Sequence, residues 1–121
     1  MIETIIIDTN IIIRLFSGNE NCQDIIHKKL ILISFITEIE LLSWPTAAPG
    51  DKITLISLLH DCFITNITDD IKKTTIEIRK KYKLKIPDAI IAATAISKKL
   101  TLFSGDDIFY RVKELNFIHV Q

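Results

Sequence analysis

Residues 3–16 read "ETIIIDTNIIIRLF", two isoleucine triplets closed around Asp8, Thr9 and Asn10. Thr4 to Ile7 is a run of β-branched residues too short for a helix and apolar on both faces, as a buried central parallel strand is. From Thr9 to about Phe16 the apolar residues Ile12, Ile13 and Phe16 recur at helical spacing, and Ser17-Gly18-Asn19 ends the element. The stretch therefore reads as strand, polar turn, helix, with a carboxylate at the carboxyl end of the strand.

The same alternation continues along the chain. A second helix is expected over Asn21 to Lys29 and a strand over Leu30 to Ile33, closed by Ser34. In "SFITEIELLSWP" the residues Phe35, Ile39 and Leu42 form one helical stripe, stopped near Pro45. A loop "PTAAPG" leads to a helix from Lys52 to about His60, for which Asp51 is the expected cap. A strand over Cys62 to Ile67 follows, then a helix capped by Thr68-Asp69-Asp70 and running to about Tyr82. In "KIPDAIIAATAISKK", Pro87 stands where a first helical residue prefers to be, and the small and apolar residues behind it suit a helix pressed against a sheet. "TLFS" is a strand, "IFYRVKEL" a last helical piece and "FIHV" a last strand. Repeated strand and helix predicts one α/β domain over residues 1–121, a mostly parallel sheet of four or five strands covered on both sides.

Composition narrows the function classes. The chain is 48% hydrophobic and 25% charged, with a mean hydropathy of +0.30, far from a disordered profile. Part of that apolar surplus is expected on an interface. No apolar run approaches the roughly 18 residues that span a bilayer, and no basic segment leads into a signal-type apolar core, so a cytoplasmic protein without a membrane partner is expected. Cys22 and Cys62 have no CxxC spacing, and His27, His60 and His119 no HExxH pairing, so neither zinc nor a disulfide is indicated. Zero formal net charge leaves nucleic-acid contact to a local patch.

Acids supply the chemistry. In open α/β sheets ligands bind beyond the carboxyl ends of the strands. Asp8 follows the first strand, Asp106 follows "TLFS", Asp88 opens the "PDAIIAATA" helix, and Glu40 lies on the helix after the second strand. Singly, each has a plain explanation as a helix cap, a first-turn acid or a surface residue. Gathered in one crevice they repel one another unless a cation neutralises them, and hard oxygen donors without His or Cys select Mg²⁺ or Mn²⁺. Such a cluster suits phosphoryl transfer or phosphodiester cleavage.

The motifs "IIIDTN", "SFITEIELL", "KIPDAIIAATA" and "LFSGDDIFYRV", in this order, resemble the PIN domain, and specifically the VapC-type toxins of toxin-antitoxin pairs. The resemblance implies a three-layer α/β/α fold and a metal-dependent endoribonuclease that leaves a 5′-phosphate and a 3′-hydroxyl. It implies four functional acids, Asp8, Glu40, Asp88 and Asp106, with Asp8, Asp88 and Asp106 as metal ligands and Asn10 and Ser104 orienting them through hydrogen bonds. It selects Glu40 over Glu38, between which helical periodicity does not choose, and leaves Asp107 without a role. Ser43-Trp44 replaces the small residue usual after the "EL" pair. A cognate antitoxin and a homodimer are the implied partners, with Ile11, Leu15, Leu41, Leu42 and Trp44 the expected contact region.

For an RNA substrate, residues 72–85, "KKTTIEIRKKYKLK", hold seven of the fifteen basic residues and lead into Asp88. Lys80, Lys81, Lys83 and Lys85 are the expected phosphate contacts, with Arg14 and Arg111 behind them. Trp44 and Tyr82 are aromatic residues available for base stacking, with packing the plainer role. Phosphatases of the haloacid-dehalogenase type need a second acid where this chain has Asn10, and they and receiver domains need a late Lys this chain lacks. A PIN-like binding module without catalysis and a DNA-directed nuclease of the same fold are the remaining alternatives.

Overall fold

The computed structural model describes residues 1–45 and 48–121; Thr46 and Ala47, in the expected "PTAAPG" loop, lie outside the described residues. Five strands, β1 (Thr4–Ile7), β2 (Leu30–Ser34), β3 (Phe63–Thr65), β4 (Leu102–Ser104) and β5 (Phe117–His119), form one all-parallel sheet in the order β3-β2-β1-β4-β5. The central position of β1 accounts for its apolar residues on both faces: Ile6 packs into one core with residues of α5 (Asp69–Tyr82) and α6 (Ile86–Lys98). Ile5 and Ile7 face the other, with α1 (Thr9–Phe16), α2 (Glu20–Ile26) and α4 (Pro49–His60). Helices on both faces give the three-layer α/β/α architecture expected of such a sequence.

Helix α6 is the most deeply buried. Ala89, Ala92, Ala93 and Ala95 are wholly covered, and their small side chains let the helix approach its neighbours closely. Thr94 remains tolerable there because its hydroxyl donates to Ile90 O at 2.7 Å.

The structure corrects several local expectations. Helix α2 stops at Ile26, three residues short of Lys29, because Lys28 turns left-handed at φ 56° and redirects the chain into β2. Helix α4 starts at Pro49, so Asp51 caps it from the third position, accepting the Ala48 N–H at 3.2 Å. Strand β3 is half the expected length, and Pro87 is the second residue of α6. "IFYRVKEL" yields only a 3₁₀ turn, Asp107–Arg111; Phe109, Val112 and Leu115 are the buried residues of this region, a three-residue spacing that fits a 3₁₀ turn.

On α3 (Phe35–Leu42) the expected apolar stripe faces outward: Ile39 is 56% and Leu42 55% exposed, while Thr37 and Leu41 are buried. The helix instead turns Leu41 into one core and Ile36 against the other, and Thr37 on the same side finds a partner in Thr9 Oγ1 at 3.2 Å. Among the expected contact residues Ile11 and Leu41 belong to the core, and Trp44 packs on Phe16 with ring centroids 5.8 Å apart. Among the described residues no helix is long and apolar enough to cross a membrane.

Candidate active site

Strand order reverses about β1, which pairs with β2 on one side and β4 on the other. The crevice beyond the carboxyl ends of β1 and β4 is the switch point where ligands bind in open α/β sheets, and both strands end in residues flagged by the sequence. Asp8 follows β1, its N–H bound to Phe103 O at 3.0 Å; Ser104 ends β4.

Asp8 is 7% exposed and heavily hydrogen-bonded. One oxygen caps α1 by accepting the Thr9 N–H at 2.8 Å. The other accepts the Ser104 hydroxyl at 2.7 Å and Asn10 Nδ2 at 3.2 Å. Capping and ligand readings are therefore compatible, since three accepted bonds leave about one of a carboxylate's four lone-pair positions free. Ser104 is saturated: it donates to Asp8 and accepts from Asn10 Nδ2 at 3.2 Å and the Asp106 N–H at 3.0 Å. Asn10 Oδ1 accepts the Gly105 N–H at 2.9 Å, so one amide joins α1 to the loop after β4.

The other acids arrive on separate elements. Glu40, exposed on α3, accepts the Thr9 hydroxyl at 2.7 Å. Glu38 instead lines a groove of about 270 Å³ with Leu42, Ile56 and His60, which separates the two glutamates that periodicity left equivalent. Asp88 is the third residue of α6, and no hydrogen bond to its carboxylate is made among the described residues. Asp106 caps the 3₁₀ turn through the Ile108 N–H at 3.0 Å. Asp107 is exposed in that turn.

Electrostatics ties the four together. Burial pushes the Asp8 carboxyl above its ordinary value, and the negative charges of Glu40 and Asp88 push the same way, against the lowering by Ser104 and Thr9. Asp88 is also raised, first by burial and then by Asp106 and Glu40, with Lys85 opposing. Each acid thus feels at least one of the others. Among the described residues no three His, Cys, Asp or Glu side chains stand close enough together to hold a metal ion between them. Magnesium is usually held by one or two carboxylates and keeps several waters, and an all-oxygen set whose members repel one another suits it.

Among the basic residues, Lys85 stands at the N-cap position of α6, where its charge reaches Asp88. Lys81 is engaged 3.6 Å from Glu114, and the Tyr82 hydroxyl donates to the same carboxylate, so this part of the run is directed elsewhere. Lys80 and Lys83 are exposed, Lys83 closing α5 in a left-handed conformation. Arg14 is occupied within the chain, donating to Val120 O at 2.9 Å.

Sequence reasoning missed Thr9, Gly105 and His119. Thr9 follows Asp8, and its hydroxyl is the link to Glu40. At Gly105 a Cβ would meet the Arg14 guanidinium at 2.2 Å, so a side chain here would displace the end of Arg14 from its present place. The His119 ring lies 3.1 Å from Gly105 O through Nε2. Lone glycine and histidine letters carried no spacing signal; strand order brings them together.

The PIN domain family model matches residues 5–115, and the chain belongs to that family. Among solved structures it is similar to a chain of a toxin-antitoxin complex from Klebsiella pneumoniae, at 32% identity and a TM-score of 0.80 over 92% of this chain and 94% of that one. It is also similar in fold to chains of VapBC2 from Rickettsia felis bound to a promoter DNA fragment (19% identity, TM-score 0.85, 98% and 99% covered). A third is FitAcB from Neisseria gonorrhoeae (22% identity, TM-score 0.79, 95% and 96% covered). No curated protein matches.

Proposed function

We propose that this chain is the toxin of a toxin-antitoxin pair and acts as a Mg²⁺- or Mn²⁺-dependent endoribonuclease in the cytoplasm. The observation that carries the reading is the buried Asp8, locked by Ser104 and Asn10 and repelled by Glu40 and Asp88, the latter in turn repelled by Asp106, at the sheet's switch point. Family membership and likeness to a chain of a toxin-antitoxin complex support both halves of it, and they support an antitoxin as partner. A homodimer is proposed with it, for the exposed Ile39 and Leu42 of α3 are apolar surface that a partner can cover.

Asp8, Asp88 and Asp106 would hold the cation, with Glu40 completing the set directly or through water. Bound there, a cation would supply an activated water and offset charge developing on the phosphate oxygens. The chain's own residues do the rest. Ser104 and Asn10 hold Asp8 in one rotamer, so that ligation costs little reorganisation. Thr9 holds Glu40 toward the first acid. Lys85 offsets the negative field over Asp88 and offers the substrate backbone a cation where the acids repel it.

The test is incubation of labelled RNA and labelled DNA pools with the purified chain in Mg²⁺, Mn²⁺ or chelator. Cleavage of RNA that needs a cation and leaves 5′-phosphates supports the reading. Cleavage confined to DNA favours the structure-specific nuclease, and binding to a partner with no cleavage of either pool favours the non-catalytic module.

A further inference from the structure

Tyr110 is 65% exposed although Phe109 and Val112 beside it are buried. Its ring meets Phe117 edge-on at 4.9 Å and tilts against His119 at 5.6 Å, and the Phe117 and His119 rings are 6.2 Å apart. The cluster is braced against the acids. His119 Nε2 lies 3.1 Å from Gly105 O, the Gly105 N–H donates to Asn10 Oδ1 at 2.9 Å, and Asn10 Nδ2 donates to Asp8 at 3.2 Å. The next residue fixes the strand itself: the Val120 N–H donates to Ser104 O at 2.8 Å and Val120 O accepts Arg14 at 2.9 Å. An exposed aromatic ring is therefore connected to the first acid through its contact with His119 and three hydrogen bonds.

We propose that Tyr110, backed by His119 and Phe117, is a nucleobase-stacking platform that seats a base of single-stranded RNA next to the scissile phosphate. The inference rests on the nuclease reading and deepens it. Bases of single-stranded RNA present open π faces that tyrosine stacks on without regard to sequence, and a site that cuts phosphodiesters needs the flanking nucleotide held still. Arg111, exposed beside Tyr110, adds a cation for the adjoining phosphate. Trp44 and Tyr82, the aromatic residues conspicuous in the sequence, are committed to Phe16 and Glu114.

The experiment measures binding, so that cleavage is not its readout. A short fluorescein-labelled single-stranded RNA is titrated with the Asp88→Asn chain, alone and combined with Tyr110→Ala, Tyr110→Phe or Tyr110→Trp, after circular dichroism shows each variant folded. Stacking predicts that Tyr110→Ala weakens binding about tenfold, that Phe and Trp bind like the parent, and that an RNA duplex, whose bases are already stacked, shows no difference. Equal binding by the Ala variant overturns the platform, as does an equal loss on the duplex or with Phe. Should Asp88→Asn bind no single-stranded RNA while the native chain cuts none, the nuclease reading falls together with the platform. If RNA is bound and Tyr110 is indifferent, the platform alone falls.

Discussion

Replacing Ser104 with alanine removes one oxygen from a fully buried position and breaks three contacts together: the bond to Asp8 at 2.7 Å, the acceptor of the Asp106 N–H and that of Asn10. A hydrogen bond to a charged group contributes roughly 1.5–3 kcal/mol, and an orphaned buried N–H costs about 1 kcal/mol more. For a chain of this size the sum of roughly 2–4 kcal/mol lowers Tm by about 10 °C, measured by circular dichroism near neutral pH in chelator. Its pH dependence has a definite sign. Ser104 stabilises the ionised form of Asp8, whose folded value burial lifts above 3.8. The bond's contribution is present where Asp8 is ionised and shrinks as pH falls through that raised value, so Ser104→Ala should approach the native Tm in acid. A variant that melts with the native chain near neutrality, or whose deficit is the same in acid, refutes the hydrogen-bonded carboxylate as the organising group.

Three further outcomes follow from the same geometry. Asp88 is raised by burial and by Asp106 and Glu40, so ionising it costs stability as pH climbs from 3.8 through the folded value; Asp88→Asn should melt above the native chain at neutral pH in chelator, lose that advantage in acid, and gain less from added Mg²⁺. Gly105→Ala puts a Cβ 2.2 Å from the flexible end of Arg14, which must leave Val120 O, and should cost about 1 kcal/mol in denaturant titration, the worth of that bond, with cleavage retained because Ser104 and Asp106 keep their places. Induced expression in bacteria should arrest growth, and Asp8→Asn should relieve the arrest at equal protein level; harmless accumulation of an RNA-cleaving chain would contradict the toxin role.

The parts of the fold legible in the sequence are those governed by local pattern. The isoleucine triplets mark β1 and α1 to the residue, and Thr68 caps α5 as its position suggests, accepting the Ile71 N–H at 3.1 Å. What was hidden depends on partners distant in the chain. The orientation of α3 goes with the burial of Leu41 and Ile36 in the two cores and with Thr37 meeting Thr9, 28 residues earlier, rather than with the apolar stripe of Phe35, Ile39 and Leu42. Asp8, Asp88 and Asp106 were visible as strand-end and helix-start residues, because a parallel sheet sends those positions to one edge, whereas Glu40, well inside α3, was selected by the resemblance alone. Of the group that supports them, the resemblance named Asn10 and Ser104, but the pattern of residues did not give their partners. Ser104 meets Asp8 across 96 residues and Gly105 meets Asn10 across 95, and no periodicity encodes such contacts. Tyr110 was obscured differently, since the 3₁₀ turn replaces the helical period from which its outward direction would have been read.

The central claim is that Asp8 and Asp88 belong to one cation-dependent ribonuclease site, and it is tested most directly by comparing cleavage of one labelled RNA pool by the native chain, Asp8→Asn and Asp88→Asn in Mg²⁺ or Mn²⁺. The account predicts a rate for each variant at least about a hundredfold below the native one, as expected when a positioned charge is removed from such a site, while both variants remain folded. Equal cleavage by all three chains would contradict it.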